Sequence, residues 1–566
     1  MPKVISRRKF IKSSALTCAA AGINGGILLK GLNGRKKYDL IIKGCLLYDG
    51  TGGEARETDI AVMGDKIAEI GKISASTGKK VIEGRGLTAC PGFIDAHDHS
   101  DVGLFANPKA ESHIRQGITT LVSGNCGSSP FPISDAEYEE TRNTLKRAYD
   151  IDLNWRDIDG FFSRLEKSGI ALNYATFVGQ GTIRGAVVGY QDKPASGKQL
   201  AAMREILKQT IRSGALGLSS GLEYAPGSYA SQDELISLCR TAAGAGGLYA
   251  THMRDEGDEL LASLEETVEV ARQTGIGLQI SHLKCAYPRN WNKIDSALAF
   301  ITESSEAGIN IFCDRYPYIA GATSLSSLNF PLWVQQGTTD DFLNRLKDPS
   351  LEKKLRAFLK KREEKLGSWD KVIISSVATN KNRRCEGRSV QECARDSGKD
   401  VFTFMRDLLI EERDRVGMIL FMMSEDNLKK ILAHPLVGVG CDGSVRAPYG
   451  PLSHGKPHPR SYGTFPRVIA KYAREEKIQP LSQMIRKMTA VPARRFGFSQ
   501  RGLVKEGCFA DLVLFDFDRI KDKASYQDPH QYPEGIPYVI VNGYPIIEEG
   551  KHTGCLPGRI LRKSEQ

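Results

Sequence analysis

The stretch "PGFIDAHDHSD", residues 91–101, decides how this chain is read. An apolar run with the character of a strand ends in two histidines one residue apart, His97 and His99, with aspartates between and around them. Alternate side chains of a strand share a face, so the two imidazoles converge on one point while Asp98 turns away. Two converging imidazoles make half of a metal site, and the other half is to be sought at the ends of other strands.

Working outward, eight strand-like runs recur with helical segments between them: "LTACPGFIDAH", "TTLVSGNCG", "LNYATFVGQG", "ALGLSSGL", "GLYATHMR", "GLQISHLK", "NIFCDRYPY" and "VGVGCDGS". Eight such α/β units predict a closed (β/α)8 TIM-like barrel, of the metal-dependent hydrolase kind, over residues 91–499 rather than an open sheet. The intervening "DELISLCRTAAGAG" and "LLASLEETVEVARQTG" carry apolar residues at helical spacing and end near glycine. The stretch from about 325 to 435 is too long for a plain crossover and predicts an inserted subdomain or lid. Before the barrel, residues 38–90 alternate short apolar runs with Gly and Asp turns, and "GLVKEGCFADLVLFD" and "YVIVNGYPIIEEGK" repeat the pattern over 500–555. Both chain ends are expected to share one small β-sandwich.

A chain of 566 residues, 41% hydrophobic and 26% charged, is that of a soluble globular protein with one large domain and a smaller companion. The formal charge of +11 is concentrated at the start: residues 1–37 hold nine Lys and Arg and no acid, which leaves +2 for the rest. No electrostatic footprint for nucleic acid remains. The opening "SRRKFIKSSALTCAAAG" pairs Arg7 with Arg8 ahead of a short run of small and apolar residues, and resembles a twin-arginine export signal. Residues 1–37 are therefore expected to address the protein to the export machinery and the periplasm or exterior. The run is too short and too broken to give a stable membrane span. The twelve cysteines form no CxxC pair and read mostly as buried small hydrophobes.

Active sites of such barrels lie at the C-terminal ends of the strands. There the first strand offers His97 and His99, the second Cys126, the fifth His252, the sixth His282 and the eighth Asp442. Imidazole nitrogen and thiolate sulfur are the donors zinc prefers. Taken singly, His252 or His282 reads as a hydrogen-bonded core histidine and Cys126 as a buried apolar residue; a coincidence at several strand ends points to a metal. Asp442 either opens an Asp-Gly turn or acts as the acid/base beside a metal-bound water. His113 and His434 precede strands and read as structural, whereas His454 and His458 follow the eighth strand on the active rim.

With "GITTLVSGNCGSSP", "GLSSGLEYAPGSYAS", "YATHMRDEG", "QISHLK", "YPYIAGATSL", "HPRSYGTFPRV" and "EGCFADLVLFD" added to the opening stretch, residues 38 to 550 resemble the N-acyl-D-amino-acid deacylase (D-aminoacylase) family of the amidohydrolase superfamily. Cys126 carries the distinction, since many relatives bridge two metals with a carboxylated lysine. The resemblance implies one tight Zn2+ on Cys126, His252 and His282, a second, weaker position at His97 and His99 that also reaches Cys126, and Asp442 as general base and acid. It further implies that Lys284, Tyr316 and Arg460 face the substrate's amide and carboxylate. Gln180, where relatives often carry histidine, and Ala322, where the characterised type has serine, depart from the pattern and bear on the choice of acyl group or side chain. The implied substrate is an N-acyl-D-amino acid, its hand given by the resemblance alone. Two other readings compete: a cyclic-amide hydrolase of the hydantoinase or dihydroorotase kind, and a non-catalytic exported relative that binds or sequesters.

Overall fold

The structure, a computed structural model, describes residues 37–563. The twin-arginine-type segment expected over 1–37 lies outside the described residues except for Lys37. Among the described residues no helix is long and apolar enough to cross a membrane.

Eight parallel strands follow one another in the order of the chain. They are Phe93–Asp95, Ile118–Ser123, Asn173–Thr176 continued by Val178–Gly179, Gly217–Gly221, Leu248–His252, Gly277–Ile280, Ile311–Arg315 and Val437–Val439. Each pairs in parallel with the next. The ring closes just beyond the eighth strand, where Asp442 N donates to His97 O at 2.7 Å and His99 N to Gly443 O at 2.8 Å. These strands are buried on both faces, which explains their continuous runs of apolar and small residues. Leu121, Tyr174, Leu218, Tyr249 and Leu278 pack in the large core shared with the helices. Their neighbours Val122, Ala175 and Ala250 pack with Ala96, Phe177, Phe312 and Phe496 in a second, smaller cluster inside the ring.

The turn into the first strand needs glycine. A Cβ on Gly92 would sit 2.1 Å from Thr119 Oγ1, so only a bare backbone lets the sheet preceding the barrel run straight into it. That sheet has nine strands drawn from both chain ends: Leu512–Phe515 pairs antiparallel with Thr88–Pro91, itself joined to Tyr38–Leu47. It encloses its own core of Leu40, Ile42, Ile60, Val62, Leu512 and Ile540.

The insert between the seventh and eighth strands has a three-stranded antiparallel sheet, with Val416–Phe421 between Ala320–Ser324 and Val372–Val377. Helices Thr339–Lys347, Pro349–Leu366 and Val401–Glu412 cover it around a separate core that includes Leu355, Trp369 and Met405. Its limits differ from the 325–435 read off the sequence. The sheet already begins at Ala320, and helix Glu425–Ala433 puts Leu428, Ile431 and Leu432 into the barrel's core, not the insert's. Apolar residues at helical spacing read the same in either body, so the sequence pattern does not mark on which side of the boundary that helix packs.

Candidate active site

The first strand ends at Asp95, so His97 and His99 lie in the turn beyond it, not within the strand as the alternation implied. What makes them converge is the turn's bonding: His97 N donates to Asp95 Oδ1 at 3.1 Å, and the eighth strand's extension holds the backbone on either side. The rings meet edge to face with centroids 5.2 Å apart. Asp98 does turn away, and it is fully buried, accepting from Ser100 N at 2.6 Å and bonding His113 Nε2 at 2.7 Å. His113, read as structural, thus braces the turn from beneath.

Cys126 follows the second strand, His252 ends the fifth, His282 lies two residues past the sixth and Asp442 three past the eighth. Cys126, His282 and Asp442 have φ of 50°, 36° and 50°, a left-handed backbone that costs a non-glycine residue about 1 kcal/mol or more and that recurs at functional sites. Cys126 Sγ lies 3.3 Å from both His97 Nε2 and His282 Nε2. Donor atoms of His97, His99, Cys126 and Asp442 form one group within 4.8 Å of one another, and those of Cys126, His252 and His282 form another. Cys126 belongs to both.

These residues fit zinc. Metal–sulfur and metal–nitrogen bonds of roughly 2.3 and 2.0 Å in a tetrahedron set donors about 3.5 Å apart, close to the 3.3 Å contacts here. His252 Nε2 bonds Glu223 Oε2 at 3.0 Å, while its buried Nδ1 has no hydrogen-bond partner among the described residues and is free to ligate. Burial would push the Cys126 thiol up, yet His97 and His282 beside it hold it well below the usual range, as a thiolate. Burial likewise opposes the charge on Asp442, but the Arg460 guanidinium and the imidazoles hold its carboxyl far down. The anions in turn raise His99 to about 10 against the effect of burial. This field favours a cation among the imidazoles, and a metal entering must displace protons from them.

Outer partners fix the rings. Asp314 receives His97 Nδ1 at 3.1 Å and His282 N at 2.9 Å, and Gln279 Nε2 holds its other oxygen at 2.7 Å. Glu256 lies 3.0 Å from His282 Nδ1 and 2.6 Å from Lys284 Nζ. Carboxylates behind ligating histidines orient them and raise their basicity. Sequence reasoning missed both. Asp314 carried a signal, a charged residue inside the buried run "NIFCDRYPY"; Glu256 sits in the acidic run "RDEGDE", which reads as a solvated face.

His99, Cys126, His252, His282 and Asp442 line a cavity of about 340 Å³ at the C-terminal rim. Lys284, Tyr316 and Arg460 border it, though Lys284 spends its charge on Glu256 and also touches His282 Nδ1 at 2.7 Å. Tyr316 lies between the guanidiniums of Arg315 and Arg460, 4.2 and 4.7 Å from its ring centre. Arg460 donates to Asp442 Oδ2 at 2.7 Å. Ala322 lines the cavity, whereas Gln180 is buried behind it and bonds Glu234 Oε1 at 3.2 Å. His458 is also buried. It bonds Ala320 O at 2.9 Å and accepts from Arg460 N at 3.0 Å, so it ties the insert to the rim instead of facing the cavity; His454 does not line the cavity either.

A barrel with imidazoles, a thiolate and a carboxylate gathered at this rim defines a metal-dependent hydrolase of the amidohydrolase class. The model of the Amidohydrolase family matches residues 401–547. D-aminoacylase of Alcaligenes xylosoxydans xylosoxydans is 34% identical over 528 residues, 93% of this chain and 98% of that one. N-acyl-D-glutamate deacylase of the same organism is 34% identical over 94% of this chain and 97% of its own. The crystal structure of N-acyl-D-glutamate deacylase from Bordetella bronchiseptica, complexed with zinc and a phosphonate inhibitor, superposes with a TM-score of 0.79 at 32% identity, over 93% of this chain and all of the other. The chain belongs to the D-aminoacylase (N-acyl-D-amino-acid deacylase) family.

Proposed function

We propose that the protein hydrolyses the amide bond of N-acyl-D-amino acids, releasing a carboxylate and a free D-amino acid. One observation carries the reading: Asp442 stands beside the Cys126, His252 and His282 group with Oδ2 held by Arg460 and Oδ1 3.1 Å from His99 Nε2, at the wall of a cavity sized for a small acyl amino acid. Cys126, His252 and His282 hold a tight zinc, and His97 and His99 with Cys126 make a second, weaker position. Zinc bound there supplies a Lewis acid for the acyl carbonyl and acidifies a water molecule.

The remaining work falls to the chain's own groups. Asp442 is a carboxylate throughout the neutral range, so it accepts the proton of the attacking water at Oδ1 and passes it to the departing nitrogen. Arg460 serves both sides of this step, clamping Oδ2 and presenting its charge to the substrate carboxylate, with the Tyr316 hydroxyl beside it. Leu420 and Met422 of the insert form an apolar wall that keeps bulk water from the reacting centre.

Amino-acid release from paired N-acetyl-D- and N-acetyl-L-amino acids, before and after zinc removal and restoration, tests the reading. Zinc-dependent release confined to the D series is expected. Hydrolysis of a cyclic ureide in its place supports the hydantoinase-like alternative, against which Cys126 argues, and a folded, zinc-loaded protein inert toward both supports a binding role.

We propose export by the twin-arginine machinery, supported by the Arg7–Arg8 pair and the following "FIKSSALTCAAAG". Replacing both arginines with lysine is expected to retain the protein in the cytoplasm, measured by fractionation.

A further inference from the structure

We propose that the cavity selects N-acyl-D-amino acids whose side chain ends in a cation, an ammonium group above all, and that Glu223 selects them. The inference rests on the hydrolase reading of the same cavity and adds the substrate class to it.

Charged groups around the cavity divide by whether their charge is already answered. Lys284 and Glu256 pair at 2.6 Å, Arg460 and Asp442 at 2.7 Å, and none of the four side chains is more than 10% exposed. Glu223 differs. It follows the fourth strand and lines the cavity with its side chain 28% exposed, and among the described residues no Lys or Arg nitrogen comes within 4.0 Å of its carboxylate. Oε2 accepts from His252 Nε2 at 3.0 Å, and Oε1 has no hydrogen-bond partner among the described residues.

A cavity-facing carboxylate with one oxygen free is a receptor for a cation. Arg460, shared with Asp442, also takes the substrate's own carboxylate in the proposed reaction, and an acyl chain brings no charge, so the group left for Glu223 is the amino-acid side chain. Leu328, Leu420 and Met422 supply apolar surface in the same cavity. A lysine-like side chain suits the combination, since its methylene stem covers apolar surface while its ammonium reaches a polar partner. A guanidinium suits it less, because its two-pronged geometry wants both carboxylate oxygens and Oε2 is engaged. Among the described residues an acidic side chain meets no unpaired cation at this cavity, and it is repelled by Glu223.

The test compares kcat/KM of the zinc-loaded enzyme and its Glu223→Gln variant on N-acetyl-D-lysine, -D-arginine, -D-leucine and -D-glutamate. Wild type is expected to prefer lysine over glutamate by about 100-fold, and the variant to lower the lysine-to-leucine ratio by about ten-fold or more, as loss of one charged hydrogen bond implies. An unchanged ratio, even with all rates reduced, overturns the proposal, because Glu223 then acts only through His252. Calorimetric binding of the same compounds separates the two readings. If none is cleaved, the hydrolase reading fails, while tighter binding of the lysine derivative that is lost in Glu223→Gln still supports the proposal and equal binding of all four overturns it.

Discussion

Asp442→Asn keeps its zinc and loses about 10²- to 10⁴-fold in kcat, the range carried by a positioned general acid/base. Asparagine tolerates the left-handed φ of 50° at this position better than most other non-glycine residues do, so the backbone bonds from residue 442 N to His97 O and from His99 N to Gly443 O survive. Its carbonyl oxygen can still accept from Arg460, which keeps that buried guanidinium partnered. What disappears is the proton acceptor at Oδ1 and the negative charge beside the donor group. Asp442→Ala is expected to do more harm for less information, since it strands Arg460, 6% exposed, without a counter-charge. Steady-state kinetics beside zinc content by atomic absorption make the measurement. A variant that retains kcat within ten-fold assigns the proton to another group, and one that loses zinc makes Asp442 a ligand instead.

The barrel was legible from its eight apolar runs, and five of the eight end in or are followed at the rim by a residue that buried strands rarely hold. His97, Cys126 and Asp442 meet in one group at the rim and Cys126, His252 and His282 in another, with Cys126 common to both. The partners behind them were not legible, for a physical reason. Asp314 and Glu256 act through atoms brought together across the barrel, 217 residues from His97 in the first case, and no local pattern encodes that. Lys284 shows the converse limit. Its motif placed it at the cavity, yet only the fold reveals that Glu256 has taken up its charge. Asp98 points away from His97 and His99 and bonds His113, a partner that could not be read locally, since the short helix Glu111–Ile114 that carries it has no strand-end signature. The insert's separate core was visible in its length and its apolar helices, while its edges were not.

Cys126→Ala separates the two metal positions from the rest of the chemistry, and its expected effect is the largest of all. Cys126 is the donor common to both groups, so its loss leaves only His252 and His282 on one side, and His97, His99 and the Asp442 carboxylate on the other. Zinc affinity is expected to fall by more than about 100-fold, beyond what outer partners alone contribute, and activity with it. His99→Ala should behave differently, because His99 belongs only to the group that includes Asp442, and the Cys126, His252 and His282 donors remain. Competition against a chelator measures both variants without reference to activity. Thermal denaturation gives a second readout. Zinc that binds only the folded state raises the midpoint in proportion to its occupancy, so the zinc-dependent rise should persist in His99→Ala and vanish in Cys126→Ala. If the two variants lose zinc equally, the positions are not independent, and the assignment of one tight and one weak site gives way to a single shared cluster in which Cys126 and His99 are equal partners.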